Sequence, residues 1–349
     1  SEPVLAYGRE ESSGAPGCLM RITGMRGMGK TVMFNEIGLR AKELGWSVID
    51  ETASEGFCER ILAAATPSER VASVTAGPSI LGVSLESIEI DRAALSLRDA
   101  LRAAAGKGRA GLLITLDEVQ DSSLDEMGAL SAAIQHEIRD DADIAFVFAG
   151  LPSMIESVVN GKTPTFLRRA VPVDLGPVSV AEVAISLRKT MGESGLRVDE
   201  EIAGLLAEST RGYPFMIQLV GYHAWQGAYR SSAGRVDEKA ARQGVLLARE
   251  RFDRTVIEPA LQRLSATLIE CLLAMAEDHG APSETGEVVS RMGKSVQQVS
   301  TYRARLIRED VIEASSWGKV SFAIPYMDEY LNAHRDKLEV EARLTGPCG

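Results

Sequence analysis

Aromatic residues make up only 5% of this 349-residue chain, and its four cysteines and four histidines are scattered. Cys18, Cys58, Cys271 and Cys348 show no C-x-x-C spacing, so they read as reduced cytoplasmic thiols, not as disulfides or zinc ligands. The histidines form no metal cluster along the chain. Long apolar runs are missing too. The best of them, "IAFVFAGL", falls far short of the roughly 20 residues that span a bilayer, so no membrane partner is expected. The first residues, "SEPVLAYGRE", lack the basic-then-apolar pattern of a signal peptide. Basic residues are outnumbered, 38 Lys and Arg against 49 Asp and Glu, giving a net charge of -11. That excludes a surface made throughout for nucleic acid and leaves room for a local basic face. No internal repeat or low-complexity tract is present.

What is present has the balance of a soluble globular protein, 45% hydrophobic and 25% charged. A chain this long exceeds one ordinary core, so two or three domains are expected. From about residue 18 to 175, apolar strand-like runs alternate with amphipathic helical stretches. "CLMRITG", "WSVIDETA", "AGLLITLDE" and "DIAFVFAG" read as strands, and "ILGVSLESIEI" as a hairpin or an edge strand. Continuous apolar strands separated by helices predict a parallel sheet covered on both faces, an α/β core. Helices follow one another from 180 to 256, with Asp199 and Asp237 as starts. Next come three helices and two strands around Gly318, the plan of a winged helix-turn-helix. The expected division is a core over 1–176, a helical lid over 177–257, a winged helix over 258–340 and a tail over 341–349.

The chemistry is concentrated in "GMRGMGKT", residues 24 to 31, which fits G-x-x-x-x-G-K-[ST], the Walker A motif. Backbone N–H groups from Gly24, Met25, Arg26, Gly27, Met28 and Gly29 must converge on phosphate oxygens, and side chains at the glycines would block that approach. The helix that starts near Lys30, with Thr31 and Val32, adds the positive end of its dipole. Lys30 supplies charge at the β and γ phosphates, and the Thr31 hydroxyl is a ligand for Mg²⁺. ATP or ADP with Mg²⁺ is therefore the expected cofactor. In "GLLITLDE", Asp117 ends a buried strand and is the expected metal-side carboxylate, with Glu118 as the base that polarises water. The residues between the two motifs leave room for an intervening strand, as in P-loop ATPases and unlike nucleotide kinases.

Weaker candidates flank these. Gly150 and Ser153 stand where a γ-phosphate sensor would lie, and strand-end packing is the better reading of that tip. Arg168 and Arg169 precede another strand and can act as a finger on a neighbour's ATP, which requires self-association. Tyr213 and Pro214 in "TRGYPF" can close over adenine, although Gly-Tyr-Pro is also an ordinary helix start. Asp121 is expected to cap the next helix, a role the neighbouring serines also suit.

With these residues assembled, the chain resembles the AAA+ and STAND P-loop ATPases, notably the archaeal-type ATPases and the origin-recognition initiator ATPases. The carriers are "YGRE", Walker A and B, "FAGLP", "FLRRA", "GYPF" and the C-terminal helices and strands. The resemblance implies adenine held between Tyr7, Arg9 and the lid, hydrolysis of ATP with water to ADP and phosphate, and nucleotide-dependent movement of the winged helix. The strand tip lacks Asn, Ser or Thr, and "GYPF" lacks an arginine. Both departures imply slow turnover and a switch more than a motor. In that family a helix also follows "GRE", and only seven residues stand here before Cys18. A segment near Glu10 to Ser12 is therefore expected to be missing from the chain.

In "KSVQQVSTYRARLIRED", Val296, Val299, Leu306 and Ile307 are expected to face the core. Gln297, Gln298, Thr301 and Arg305 then point outward, flanked by Lys294 and Arg308, a set able to read base edges and hold phosphates. Lys319 would sit in the wing. Two readings stand: an ATP-switched protein on double-stranded DNA, or a STAND-like signalling ATPase whose winged helix is an interaction or autoinhibitory module for protein partners.

Overall fold

The structure is a computed structural model, and it describes residues 19–66, 97–152, 155, 158–159, 165–231 and 234–345. The expected hairpin at 80–90, the segment near Glu10 to Ser12, and Tyr7, Arg9 and Ser153 lie outside the described residues. The chain divides into two compact units, Ser1–Leu175 and Gly176–Gly349.

The first unit is built on five parallel strands: β1 (Leu19–Thr23), β2 (Trp46–Thr52), β3 (Gly111–Asp117), β4 (Ile144–Gly150) and β5 (Val171–Asp174). Their order is β2-β3-β4-β1-β5. The strand that separates the two Walker strands in space is thus β4, which follows both in sequence. β3 is buried along its whole length, which is why its sequence runs apolar instead of alternating. Its side chains still divide by parity. Leu112, Ile114 and Leu116 enter a core with Phe57, Ile61, Leu101, Leu130, Phe146 and Phe148. That core is formed with α2 (Phe57–Ala65), α3 (97–105) and α4 (Leu124–Arg139). Leu113 enters the opposite core, with Ile22, Val147 and with Phe34, Ile37 and Ala41 of α1 (Lys30–Glu43). Thr115 and Asp117 share the parity of Leu113, so the strand ends by aiming a carboxylate towards α1. Ser123 caps α4, accepting from the Glu126 amide at 3.1 Å, while Asp121 lies in the preceding 3-10 turn. The cap expected at Asp121 therefore belongs to Ser123.

The second unit opens with four helices, α5 (Val180–Glu193), α6 (Glu200–Glu208), α7 (Pro214–Ser231) and α8 (Glu238–Phe252). Ser179 and Asp237 cap α5 and α8 through hydrogen bonds to backbone amides, and Asp199 occupies the N-cap position of α6 without such a bond. α8 runs through a π-helical turn, Asp253–Ile257, into α9 (Glu258–Gln262). There follow α10 (Ala266–Ala276), a short strand β6 (Ser283–Glu284), α11 (Thr285–Met292), α12 (Val296–Arg308), and the antiparallel β7 (Ile312–Ser316) and β8 (Lys319–Phe322). β6 completes a three-stranded sheet, β6-β8-β7, and was not foreseen because two residues carry no alternation to read. α13 (Met327–Ala333) and α14 (Arg335–Thr345) close the unit.

Val299 and Leu306 are buried on α12 as expected. Val296 is not: it is 65% exposed. It occupies the first helical position after the cap, where the chain has not yet turned its apolar stripe inward.

Candidate functional site

The loop from Gly24 to Gly29 joins the end of β1 to the start of α1. Gly27 and Gly29 have φ of 78° and 85°, the left-handed region that side chains disfavour, so the loop needs glycine at both positions. Gly29 is the N-cap of a 14-residue helix with no side-chain cap and no acidic residue in its first turn. The positive end of α1 is therefore left for an anion from outside the helix.

Lys30 is buried, with its ammonium donating to the carbonyls of Gly24 at 2.8 Å and Met25 at 3.3 Å. The cation is held inside the loop it would serve. Met28 is buried too, and its amide closes a turn on the Met25 carbonyl at 3.2 Å. Arg26 and Val32 face outward.

Thr31 brings the two motifs together. Its hydroxyl donates to Asp117 Oδ2 at 2.7 Å, across 86 residues of sequence. The other carboxylate oxygen of Asp117 accepts from the Glu118 amide at 2.8 Å. Asp117 is buried, so a hydroxyl and a carboxylate meet at the mouth of the loop beside Lys30. Glu118 adopts φ 56°, ψ 43°, a left-handed conformation that costs a non-glycine residue about 1–2 kcal/mol. Such strain persists only where its surroundings impose it. Here the amide is tied to Asp117, and Val119 is buried behind it.

These residues fit a nucleotide phosphate with a divalent ion. The glycine loop and helix start suit phosphate oxygens. The Thr31 hydroxyl and Asp117 carboxylate are hard oxygen donors of the kind Mg²⁺ takes directly or through water. Among the described residues there is no cluster of three or more His, Cys, Asp or Glu able to hold a metal alone. No described helix is long and apolar enough to cross a membrane.

Arg168 and Arg169 are exposed on the turn Thr165–Arg169 before β5, and Arg168 Nε donates to the Val159 carbonyl at 2.9 Å. Gly150 ends β4 in register with Thr23 of β1. Tyr213 is buried in the second unit, edge-on to Phe252 with ring centroids 5.5 Å apart, and burial pushes its hydroxyl pKa up. Its ring serves the helical packing there. Pro214 opens α7. Lys294, Gln297, Gln298, Thr301, Arg305 and Arg308 are spread along α12 and its approach, and all six are exposed. Gln298 works locally. With Ser295 it forms a capping box, its Oε1 accepting from the Ser295 amide at 3.0 Å. That signal was readable, since S-x-x-Q before an apolar stripe marks such a box. Lys319 is half-buried and ion-paired with Glu284 at 3.1 Å.

Comparison with known proteins agrees with this architecture. A family model described as a domain of unknown function (DUF8462) matches residues 254–331. No curated protein matches the sequence. The chain is similar in structure to a Walker-type ATPase of Pyrococcus abyssi, with a TM-score of 0.63 and 16% identity over 90% of this chain and 91% of that one. It is also similar to the ORC2 protein of Aeropyrum pernix in ADPNP–ADP complexes, with a TM-score of 0.62 and 16% identity over 94% and 89% of the two chains. The ADP form of ORC2 gives 0.52 and 17% over 93% and 88%. The fold of this chain is the one shared by that Walker-type ATPase and by ORC2.

Proposed function

We propose that this chain is a molecular switch that binds and slowly hydrolyses ATP with Mg²⁺, and whose nucleotide state positions a C-terminal winged helix on double-stranded DNA. The observation that carries the nucleotide part is the 2.7 Å contact between Thr31 and Asp117. It joins the hydroxyl and the carboxylate that would hold Mg²⁺, beside a buried lysine and a glycine loop. ATP would supply the phosphoanhydride bond. The chain would supply charge from Lys30 at the phosphates, oxygen donors from Thr31 and Asp117, and the Glu118 carboxylate to take a proton from water. Adenine is favoured because ORC2 is described with ADPNP and ADP. Arg168 and Arg169 are the arginines we assign to a neighbour's site, so hydrolysis would rise more than linearly with protein concentration.

The division into core, lid, winged helix and tail at 176, 257 and 340 is part of the same proposal. α11, α12 and the β7–β8 hairpin supply the helices and wing. DNA is favoured by charge: residues 294 to 308 contain one lysine, three arginines and no acid, in a chain of net charge -11. A DNA titration with and without ATP, across salt concentrations, tests the whole reading. Affinity that changes with nucleotide and falls steeply with salt is expected. A Lys30→Ala protein with unchanged ATP affinity would refute the nucleotide part. No DNA binding at low salt in either state would move the function to protein partners.

A further inference from the structure

We propose that Arg60, on α2, is a positioning residue for the end of β3, acting through Ala53; its catalytic consequence rests on the ATPase reading above. The loop after β2 runs beside the end of β3, because Thr52 and Asp117 are register partners. There the Ala53 amide donates to the Asp117 carbonyl at 2.9 Å. That bond extends the β2–β3 pairing past Asp117, to the peptide that leads into Glu118. Ala53 is fully buried, so its position is shared with the core of the sheet.

Arg60 holds this loop from outside. Its Nε donates to Glu51 at 3.0 Å, Nη1 to the Glu55 carbonyl at 2.8 Å, and Nη2 to the Thr52 carbonyl at 2.9 Å and Ser54 Oγ at 2.8 Å. One guanidinium thus spans the residues on both sides of Ala53. Only arginine offers donors in a fork wide enough for this; a lysine ammonium is a point. The far end of the loop is fixed from α4. Glu126 accepts from the amides of Gly56 and Cys58, each at 3.2 Å, and caps α2 where Gly56 has no side chain to do so. The Cys58 thiol donates to the Glu126 carbonyl at 3.2 Å. The loop therefore has two anchors and one output, the Ala53 amide.

The output matters because of Glu118. Its left-handed backbone must be enforced, and the contacts that hold it include the Asp117 side chain, the turn closed by the Asp121 amide on the Glu118 carbonyl at 2.9 Å, and the Asp117 carbonyl bonded to Ala53. Loosening the loop frees that carbonyl and lets the Asp117–Glu118 peptide relax. A shift of about 1 Å in a reacting carboxylate lowers rates by roughly a hundredfold.

The test uses the full chain with Arg60→Ala, Arg60→Lys and the milder Glu51→Gln. Amide hydrogen exchange is followed at residues 52–58 and 118–122, alongside ATP-Mg²⁺ affinity and kcat. Exchange is expected to rise in both segments together, with kcat down about tenfold or more and Kd within about threefold, and lysine should not restore wild-type behaviour. Glu51→Gln should give the same pattern at smaller amplitude. Exchange raised at 52–58, with 118–122 as protected as in the wild type, overturns the proposal whether or not ATP is hydrolysed. So does exchange raised evenly across the first unit in every variant. A wild-type protein that binds ATP without turnover would refute the hydrolysis reading, while the exchange comparison still decides this one.

Discussion

Thr31, on the helix that follows β1, and Asp117, at the end of β3, share a hydrogen bond of 2.7 Å although β4 lies between β1 and β3 in the sheet. The bond forms because α1 carries Thr31 over the sheet face onto which Asp117 points. It also places two oxygen donors where one cation would be held by both, the hydroxyl turning its proton away and offering a lone pair.

Thr31→Ala should therefore weaken ATP binding in the presence of Mg²⁺ by about tenfold or more, and far less in EDTA, since its oxygen serves the metal. Nucleotide titrations under the two conditions measure this directly. Equal losses in both would mean that Thr31 has no metal role. The same variant leaves a buried carboxylate oxygen short of a partner, at a cost of about 1–3 kcal/mol of stability.

Glu118 combines a proposed proton acceptor with backbone strain. Glu118→Gln should retain ATP affinity and lose turnover by about 10²–10⁴-fold, the usual range for removing a general base. Glu118→Gly should lose turnover equally and yet melt at a higher temperature than Glu118→Ala, because only glycine accepts φ 56° without penalty. If the alanine variant melts as high as the glycine variant, the left-handed conformation carries no strain.

Gly212 shows a different use of glycine. Its φ is +71°, and a Cβ there would stand 2.1 Å from the Val178 carbonyl oxygen. Val178 in turn donates its amide to the Gly212 carbonyl at 2.8 Å, so the two segments touch backbone to backbone. Gly212→Ala should cost about 2–4 kcal/mol, adding left-handed strain to an unrelieved clash. Thermal or urea unfolding checks this, and a loss below about 0.5 kcal/mol, the scale of ordinary surface substitutions, would contradict it.

The parts of this site that could be read from sequence are those where local chemistry dictates residue type. The P-loop glycines are required by backbone that must approach phosphate, and Lys30, Thr31 and Asp117 follow at fixed spacing. The parallel sheet was legible from β3 and β4, because burial on both faces removes alternation. Strand order was not legible: β4 entering between β1 and β3 is a decision of tertiary packing. Arg60 gave no signal at all, since its acceptors are set by the path of one loop. Val296 misled because periodicity counts residues but does not say where the first turn begins. Outward direction alone marks Gln298 as a DNA contact, while its spacing from Ser295 marks it as part of the cap.

That last distinction yields a contrast between adjacent glutamines. Gln297 and Gln298 are both exposed near the start of α12. Gln298 is tied to Ser295 in the capping box, with its side-chain oxygen turned back to the N-cap. Gln297 engages its own helix through the backbone, its carbonyl accepting from the Thr301 hydroxyl at 3.0 Å. If α12 meets DNA, Gln297→Ala should weaken specific binding by roughly tenfold, the lower end of what one base contact contributes, and leave the salt dependence unchanged. Gln298→Ala should instead lower stability by about 1 kcal/mol through the lost cap. Arg305→Ala should act as a third class: it removes a cation, so it should weaken binding to all sequences and reduce the salt slope by about one. Measuring the three variants by DNA titration and by thermal unfolding separates a base contact, a fold contact and a phosphate contact on one helix. If Gln297→Ala and Arg305→Ala both bind DNA as the wild type does, at low and at high salt, then α12 is not the surface that meets DNA.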